Sequence, residues 1–134
     1  MCIRDSTTIE RVSRSIAKVY CLNKVNAVAS TGSGFIYAKK GMLVSCDHLV
    51  EGSQSLLCRF PGDEEGKFRP LKIVLRDPEH DLALLKVEVD KEPLVPLSKK
   101  SLGEVRAGMP VLFSGYPLSL DVLTTCLLYT SRCV

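Results

Sequence analysis

Residues 32–50 read Gly-Ser-Gly-Phe-Ile-Tyr-Ala-Lys-Lys-Gly-Met-Leu-Val-Ser-Cys-Asp-His-Leu-Val. The pattern predicts a bend at Thr31–Gly34, a β-rich run at Phe35–Ala38 and a returning strand at Met42–Ser45. The Gly-Ser-Gly is expected to let the backbone turn tightly into the first strand, and Lys-Lys-Gly is typical of a hairpin turn. His48 follows the second strand, at a strand end where sites on β scaffolds usually lie. The stretch therefore predicts two paired strands that carry a histidine at one end.

The chain on either side of this stretch shows the same alternation of short strands and turns. A short helix at Thr7–Ser15 is predicted by apolar residues that recur every three or four positions. Short strands at close spacing, separated by Gly and Pro turns, favour an all-β barrel or sandwich. The further predicted strands are Ala17–Leu22, Ser55–Phe60, Lys67–Leu75, Leu82–Val89 and Val111–Ser114.

The two ends of the chain are related at the nucleotide level. Met1–Ser6 can be encoded ATGTGTATAAGAGACAG, and the reverse complement of that string contains TGTCTCTTATACACAT, which encodes the beginning of Cys126–Ser131. Both segments resemble translations of a transposase adapter used in sequencing libraries. We therefore expect residues 1–6 and 126–134 to be adapter-derived. One domain, residues 7–125, is expected between them.

Composition excludes several classes of function. The 134 residues are 46% hydrophobic and 25% charged, which is the composition of about one globular domain. A net charge of +3, scattered basic residues, no Trp and 6% aromatic residues do not indicate a nucleic-acid partner. No apolar stretch approaches the roughly 20 residues of a membrane span. Only Cys21, Cys46 and Cys58 lie between the adapter-like ends, an odd number that predicts no disulfide framework.

Three motifs occur in order along the predicted domain, and together they resemble the trypsin-like serine proteases of the HtrA/Deg type. The resemblance runs from about Ser15 to Thr125. It implies the first β-barrel of a chymotrypsin/trypsin-like two-barrel fold, followed by the start of the connection between the barrels. The motifs are Gly32-Ser33-Gly34 with the strand that leads to His48, the segment Asp77–Leu85 with its Asp-Leu-Ala-Leu, and Leu102–Gly108 followed by a strand, Gly-Tyr-Pro and Leu118–Thr125.

The resemblance implies roles for two residues. His48 corresponds to the general base of a Ser-His-Asp triad, and Asp81 corresponds to the carboxylate that orients it. The chemistry agrees, because a serine hydroxyl is a weak nucleophile until an imidazole accepts its proton, and a carboxylate fixes the tautomer of that imidazole. His48 and Asp81 are 33 residues apart. Only a fold that joins two strand ends can bring them within hydrogen-bond range.

Neighbouring residues have simpler interpretations. Asp77 competes with Asp81 for the orienting role, but Asp77 precedes a proline and is typical of a turn. His80 is expected to be exposed to solvent. Cys46 and His48 suggest a metal pair, yet no second Cys/His pair follows at ligand spacing. We therefore expect no metal and no other cofactor.

The nucleophile of the triad is not found. A Gly-x-Ser-Gly-Gly segment, which the resemblance implies for the nucleophile and the oxyanion-hole amides, does not occur before Thr125. Ser33, Ser114 and Ser119 lie in other contexts, so none of them is nominated.

We therefore expect a fragment of a serine endopeptidase that is inactive by itself. The family implies protein or peptide substrates and often a homo-oligomeric parent. One alternative is a catalytically inactive trypsin-like barrel that binds peptides or partners, and another is an unrelated β-barrel used for interaction. The sequence indicates no localisation and no substrate preference.

Overall fold

The computed structural model describes residues 6–37, 41–64, 66–87, 103, 105–116 and 123–128. Within these residues the chain forms two short helices and eight strands. In chain order they are α1 (Ser6–Ser13), β1 (Ile16–Leu22), β2 (Val28–Ile36), β3 (Met42–Ser45), α2 (Asp47–Val50), β4 (Ser55–Arg59), β5 (Arg69–Asp77), β6 (Leu82–Val87), β7 (Pro110–Gly115) and β8 (Leu123–Leu128).

Six of the strands close into a barrel. Their order around the barrel is β1-β2-β3-β6-β5-β4, and every neighbouring pair is antiparallel. Pairing of β4 with β1, with Cys58 opposite Val19, closes the ring. Strands β7 and β8 form a separate two-stranded sheet. The all-β barrel that the sequence predicts is therefore confirmed, and so is the short N-terminal helix.

The barrel interior is filled by alternate residues of the strands. On β1, Ala17, Val19 and Cys21 point inward, as the two-residue period of a strand requires. Burying a Leu or Val side chain fully is worth about 1.5–3 kcal/mol, so this layer is the main source of stability. The buried core comprises Ala17, Val19, Cys21, Ile36, Leu43, Leu49, Val50, Leu56, Cys58, Phe60, Leu71, Ala83, Leu85 and Val87.

Strand β2 corrects the prediction of a bend at Thr31–Gly34. The strand runs through Gly32 and Gly34 without a positive φ at either residue, so neither glycine makes a turn. Both are needed for close packing instead. A Cβ on Gly32 would lie 2.5 Å from a methyl group of Leu49, and a Cβ on Gly34 would collide with Leu43.

Most other element bounds differ from the prediction by one or two residues. The helix ends at Ser13 instead of Ser15, and β5 is shifted toward the C-terminus, to Arg69–Asp77. Residues 88–89, predicted to end the strand that begins at Leu82, lie outside the described residues. None of the helices among the described residues is long and apolar enough to cross a bilayer.

At both ends, an element of the structure crosses the predicted domain bounds. Helix α1 begins at Ser6, and β8 crosses the expected boundary at residue 125 to end at Leu128. The pairing of β8 with β7 does not show whether residues 126–128 were encoded by an adapter sequence. The adapter origin of residues 1–6 and 126–134 therefore stays a prediction, and residues 1–5 and 129–134 lie outside the described residues.

Candidate active site

His48 is carried by α2, a single helical turn directly after β3. The turn buries Asp47, Leu49 and Val50 against the barrel and leaves His48 exposed. The Leu49 carbonyl accepts a 2.8 Å hydrogen bond from the buried thiol of Cys21 on β1. Because its neighbours are held by packing and by this bond, the histidine projects into solvent from a fixed backbone.

Asp81 ends the tight turn between β5 and β6. Its φ is +56°, in the left-handed region that few residues other than Gly, Asn and Asp adopt. The Asp81 N–H donates to the carbonyl of Pro78 at 3.3 Å, and the flanking residues Asp77 and Leu82 are paired across the two strands. These contacts close the turn at Asp81. The left-handed backbone conformation of Asp81 sets the direction of its carboxylate.

The structure brings His48 and Asp81 into direct contact. His48 Nδ1 lies 2.7 Å from Asp81 Oδ2, and the His48 backbone N–H donates to Asp81 Oδ1 at 2.8 Å. The first N–H groups of a helix have no partner within the helix. Cys46, at the N-cap of α2, makes no side-chain capping bond. The Asp81 carboxylate therefore caps the helix that carries His48 and contacts the ring of the same residue.

Hydrogen bonding keeps this carboxylate ionised. The backbone N–H of His48, and after it the His48 ring, hold the pKa of Asp81 below its usual range. An ionised carboxylate can only accept hydrogen bonds, so Nδ1 carries the proton and Nε2 of the neutral ring is left as the acceptor. The two side chains are 72% and 50% exposed, so a reacting group has access to the ring.

A second ion pair fixes α2 to the barrel. The Asp47 carboxylate is buried, and the guanidinium of Arg76 on β5 donates to it twice, from Nε at 2.6 Å and from Nη2 at 3.1 Å. Hydrogen bonding to Asp47 raises the pKa of Arg76. Sequence reasoning missed this pair, because the two residues are 29 positions apart and no local pattern links them. It joins the residue before His48 to the strand that leads to Asp81.

The competing residue Asp77 has its own histidine partner. His80 Nδ1 lies 2.9 Å from Asp77 Oδ2, and the His80 N–H donates to Asp77 Oδ1 at 3.3 Å. The His80 side chain is 67% exposed, in agreement with the expectation of a solvent-facing residue. The Asp77 carboxylate therefore pairs within its own turn.

Cys46 adds a third functional group to the His48–Asp81 pair. Its thiol sulfur, a His48 ring nitrogen and an Asp81 carboxylate oxygen all lie within 4.8 Å of one another. Partial burial, and after it the negative charge of Asp81, raises the pKa of the Cys46 thiol. A raised pKa keeps the sulfur protonated and therefore weakly nucleophilic. Sequence spacing indicated the nearness of Cys46 and His48, and the family resemblance placed Asp81 beside His48, but the two were not combined into one group of three.

A shallow apolar cleft of about 200 Å³ lies beside this site, and Ser33, Val44, Cys46, Leu82 and Ser114 are among its lining residues. The hydroxyl of Ser33 accepts a 2.7 Å hydrogen bond from a backbone N–H. Ser119 lies outside the described residues. A larger cleft of about 360 Å³ is bordered by Lys18, Arg59 and aromatic rings and contains none of the candidate site residues.

The sequence matches the family described as the trypsin-like peptidase domain over residues 32–129. The chain belongs to this family. It is 35% identical over 96 residues to a probable periplasmic serine endoprotease, DegP-like, of Hahella chejuensis, an alignment that covers 72% of this chain and 19% of that protein. It is 29% identical over 107 residues to the chloroplastic Protease Do-like 1 of Arabidopsis thaliana, covering 79% of this chain and 24% of that protein. The chain thus spans about a fifth of the length of its DegP-like relatives.

Solved structures of HtrA-type proteases share the fold. The structure of the HtrA-type protease AlgW with a tripeptide superposes with a TM-score of 0.81 at 22% identity, covering 94% of this chain and 39% of that one. A serine endoprotease from Yersinia pestis superposes with a TM-score of 0.76 at 23% identity, covering 94% and 44%. The predicted trypsin-like, HtrA-type character and the trypsin-like barrel fold are therefore confirmed.

Proposed function

We propose that this trypsin-like barrel supplies the general base and the orienting carboxylate of a serine endopeptidase. His48 is the base, Asp81 orients it, and the nucleophile lies outside this sequence. The observation that carries the proposal is the double contact of one Asp81 carboxylate with both the ring and the backbone N–H of His48. That contact fixes the imidazole in position and tautomer, which is what a triad requires of its carboxylate.

In the proposed reaction His48 carries one proton from the serine oxygen to the nitrogen of the leaving amine. Nε2 accepts the hydroxyl proton of serine as the oxygen attacks the peptide carbonyl, and the resulting imidazolium then donates that proton to the leaving amine. Asp81 stays ionised throughout and stabilises the imidazolium through Nδ1. The lowered pKa of Asp81 supports this role, because a carboxylate that protonated near neutral pH would lose the interaction.

The surface around the site supports the proposal that a further part of a peptidase domain covers it. Leu75 and Leu82 are 62% and 49% exposed, although both flank the turn that carries Asp81. Apolar side chains grouped beside a polar site are typical of a surface that contacts another structural unit. We also propose that the substrates are proteins or peptides, that the parent protein is a homo-oligomer, and that the domain spans residues 7–125.

The proposal is tested first on the chain as it is written. Casein or a fluorogenic peptide is incubated with the purified chain and with its His48→Ala variant. Both should give background signal, because triad members act as a unit and the nucleophile and oxyanion donors are absent from this sequence. Turnover that disappears in the variant would show a nucleophile within these residues.

The second test extends the chain. The parent coding sequence is read past Thr125, and the longer protein is assayed with His48→Ala beside the matched control His80→Ala. We expect a Gly-x-Ser-Gly-Gly segment in the extension, activity in the parent and in the control, and loss of activity in the His48 variant. An extension without such a nucleophile, or equal activity in both variants, would overturn the proposed function.

A further inference from the structure

We propose that Cys46, His48 and Asp81 form a binding site for a divalent metal ion of the Zn²⁺ type. The inference concerns the same side chains as the proposed catalytic pair but adds Cys46, to which the protease reaction gives no role. Among the described residues this is the one group of three such side chains whose donor atoms approach so closely, all within 4.8 Å of one another.

The spacing of the donor atoms is close to that of a metal site. Zinc bonds of about 2.0–2.3 Å in a tetrahedron place the donor atoms about 3.3–3.7 Å from one another. His48 Nδ1 and Asp81 Oδ2 are 2.7 Å apart in their hydrogen bond, and the Cys46 sulfur lies within 4.8 Å of a His48 ring nitrogen and of an Asp81 carboxylate oxygen. Shifts of about 1 Å in exposed side chains convert one arrangement into the other.

The types of donor select the class of metal. One thiolate, one imidazole and one carboxylate form a mixed set that suits Zn²⁺, whereas Mg²⁺ and Ca²⁺ take oxygen donors alone. Three protein ligands leave the fourth tetrahedral position to water, as in sites that keep an open coordination position. Exposure of His48 and Asp81 gives a hydrated ion direct access to the site.

Binding is accompanied by one proton transfer. The thiol of Cys46 loses its proton to solvent as the sulfur–metal bond forms. The neutral His48 ring keeps its single proton, which moves from Nδ1 to Nε2 through solvent if Nδ1 is the ligating nitrogen. A metal-bound His48 has no lone pair for a serine hydroxyl, so the ion would act as a reversible inhibitor of proteolysis. That consequence rests on the proposed function, whereas metal binding itself does not.

The chain contains a matched control for this site. His80 and Asp77 form a pair with the same atoms in contact, but no third donor lies close enough to complete a group of three among the described residues. A metal site that depends on Cys46 must therefore form at His48 and not at His80. This difference separates a built site from nonspecific binding by exposed histidines.

The experiment uses the whole 134-residue chain with Cys2, Cys126 and Cys133 replaced by Ser, so that terminal thiols do not compete. Co²⁺ is the spectroscopic probe, since a thiolate ligand gives a near-ultraviolet charge-transfer band, and Zn²⁺ is then titrated in competition. Cys46→Ser is the test variant. Serine is a preferred N-cap residue, so this substitution keeps α2 intact, which circular dichroism checks.

We expect saturable binding of one ion with a charge-transfer band, retained in His80→Ala and weakened by at least about 100-fold in Cys46→Ser, since even outer-shell changes cost 10–100-fold. In NMR spectra Zn²⁺ should shift the His48 ring signals and leave those of His80 in place. Absence of saturable binding to the folded chain, affinity in Cys46→Ser within threefold of the parent, or equal loss in His80→Ala would overturn the proposal. Because no assay here involves proteolysis, failure of the metal site and failure of the proposed function are distinguishable.

Discussion

Asp77 and Asp81 lie at opposite ends of one five-residue turn, and each pairs with a histidine, Asp77 with His80 and Asp81 with His48. Each carboxylate accepts a backbone N–H and contacts Nδ1 of the same histidine, with ring contacts of 2.7 Å for His48–Asp81 and 2.9 Å for His80–Asp77. The pairs differ in sequence separation, which is 33 residues in the first and three in the second. The local pair is a turn that closes on itself, whereas the distant pair exists only because the barrel is folded.

The difference shows that a histidine–aspartate contact by itself does not distinguish a pair held by the barrel from a pair within one turn. His80 is nearly as exposed and nearly as close to a carboxylate as His48, yet its partner belongs to its own turn. His48 is held by a helix whose neighbours are buried, and beside it lie a thiol and an apolar cleft. A functional site combines the pair with a framework that fixes it and with space for a reacting group.

The largest expected difference between the pairs is in activity. In the extended peptidase, Asp81→Asn should lower kcat by about 10⁴-fold, because an amide no longer selects the productive tautomer of His48. Asp77→Asn removes the equivalent contact of His80 and should change kcat by less than about threefold, as expected of a residue that does not touch the reacting groups. Steady-state assays with a fluorogenic peptide measure both.

The contrary result is equally clear. If Asp77→Asn lowered kcat as strongly as Asp81→Asn while circular dichroism stayed unchanged, the two pairs would be functionally equivalent. The assignment of Asp81 as the orienting carboxylate would then be wrong.

The next largest effect is expected from the ion pair that holds α2. Arg76→Met leaves the buried Asp47 carboxylate without its guanidinium, and a buried charge that has lost its partner is strongly destabilising. We expect a lower urea midpoint than in Lys72→Met, a control that removes one positive charge from an exposed position of the same strand. In NMR spectra the His48 ring signals should move in Arg76→Met and those of His80 should not. Equal midpoints in the two variants would remove the positioning role of Arg76.

How well the sequence predicts a feature of this molecule depends on how far apart in the chain the interacting residues are. Strands β1 and β3 follow from short runs of alternating or apolar residues, which are local signals. The meeting of His48 and Asp81 was predicted from resemblance to a family, since no local pattern links residues 33 positions apart. Their assignment as catalytic residues stays a prediction.

Other features carried no readable signal. The sequence predicts a bend within β2, because the residues from Val28 to Ser33 do not alternate in polarity. In the structure these residues are exposed or half-buried. The role of Gly32 depends on Leu49, a neighbour in space that the sequence does not reveal. The Asp47–Arg76 pair and the approach of Asp81 to Cys46 likewise depend on tertiary structure. Local pattern therefore predicted most of the strands but not the first part of β2 or β8. Tertiary contacts decided the details of the site.

A smaller effect concerns the pH dependence of stability. The pKa of Asp81 is lowered in the folded chain, mainly by the His48 backbone N–H, so its contribution to stability is present above the unfolded pKa of about 3.9. That contribution is lost as the pH falls through the lower folded pKa. Carboxyl NMR titration should place Asp81 below the usual range in the parent chain. His48→Ala should reverse only part of the shift, because it keeps the backbone N–H. Full return to the usual pKa in His48→Ala would show that the ring, and not the backbone, holds the carboxylate.

The smallest effect is expected from the local pair. His80→Ala removes a ring that is 67% exposed and a contact that closes only a four-residue segment, so solvent screening and side-chain entropy offset most of its energy. The free energy of unfolding should change by less than about 0.5 kcal/mol, which is typical of exposed sites. The Asp77 carboxylate keeps the His80 backbone N–H as a donor, so the turn that carries Asp81 should persist. Urea unfolding measures the first quantity, and unchanged His48 ring signals in NMR spectra report the second. A loss of stability above about 2 kcal/mol, or displaced His48 signals, would mean that the local pair supports the distant one and that the two are a single unit.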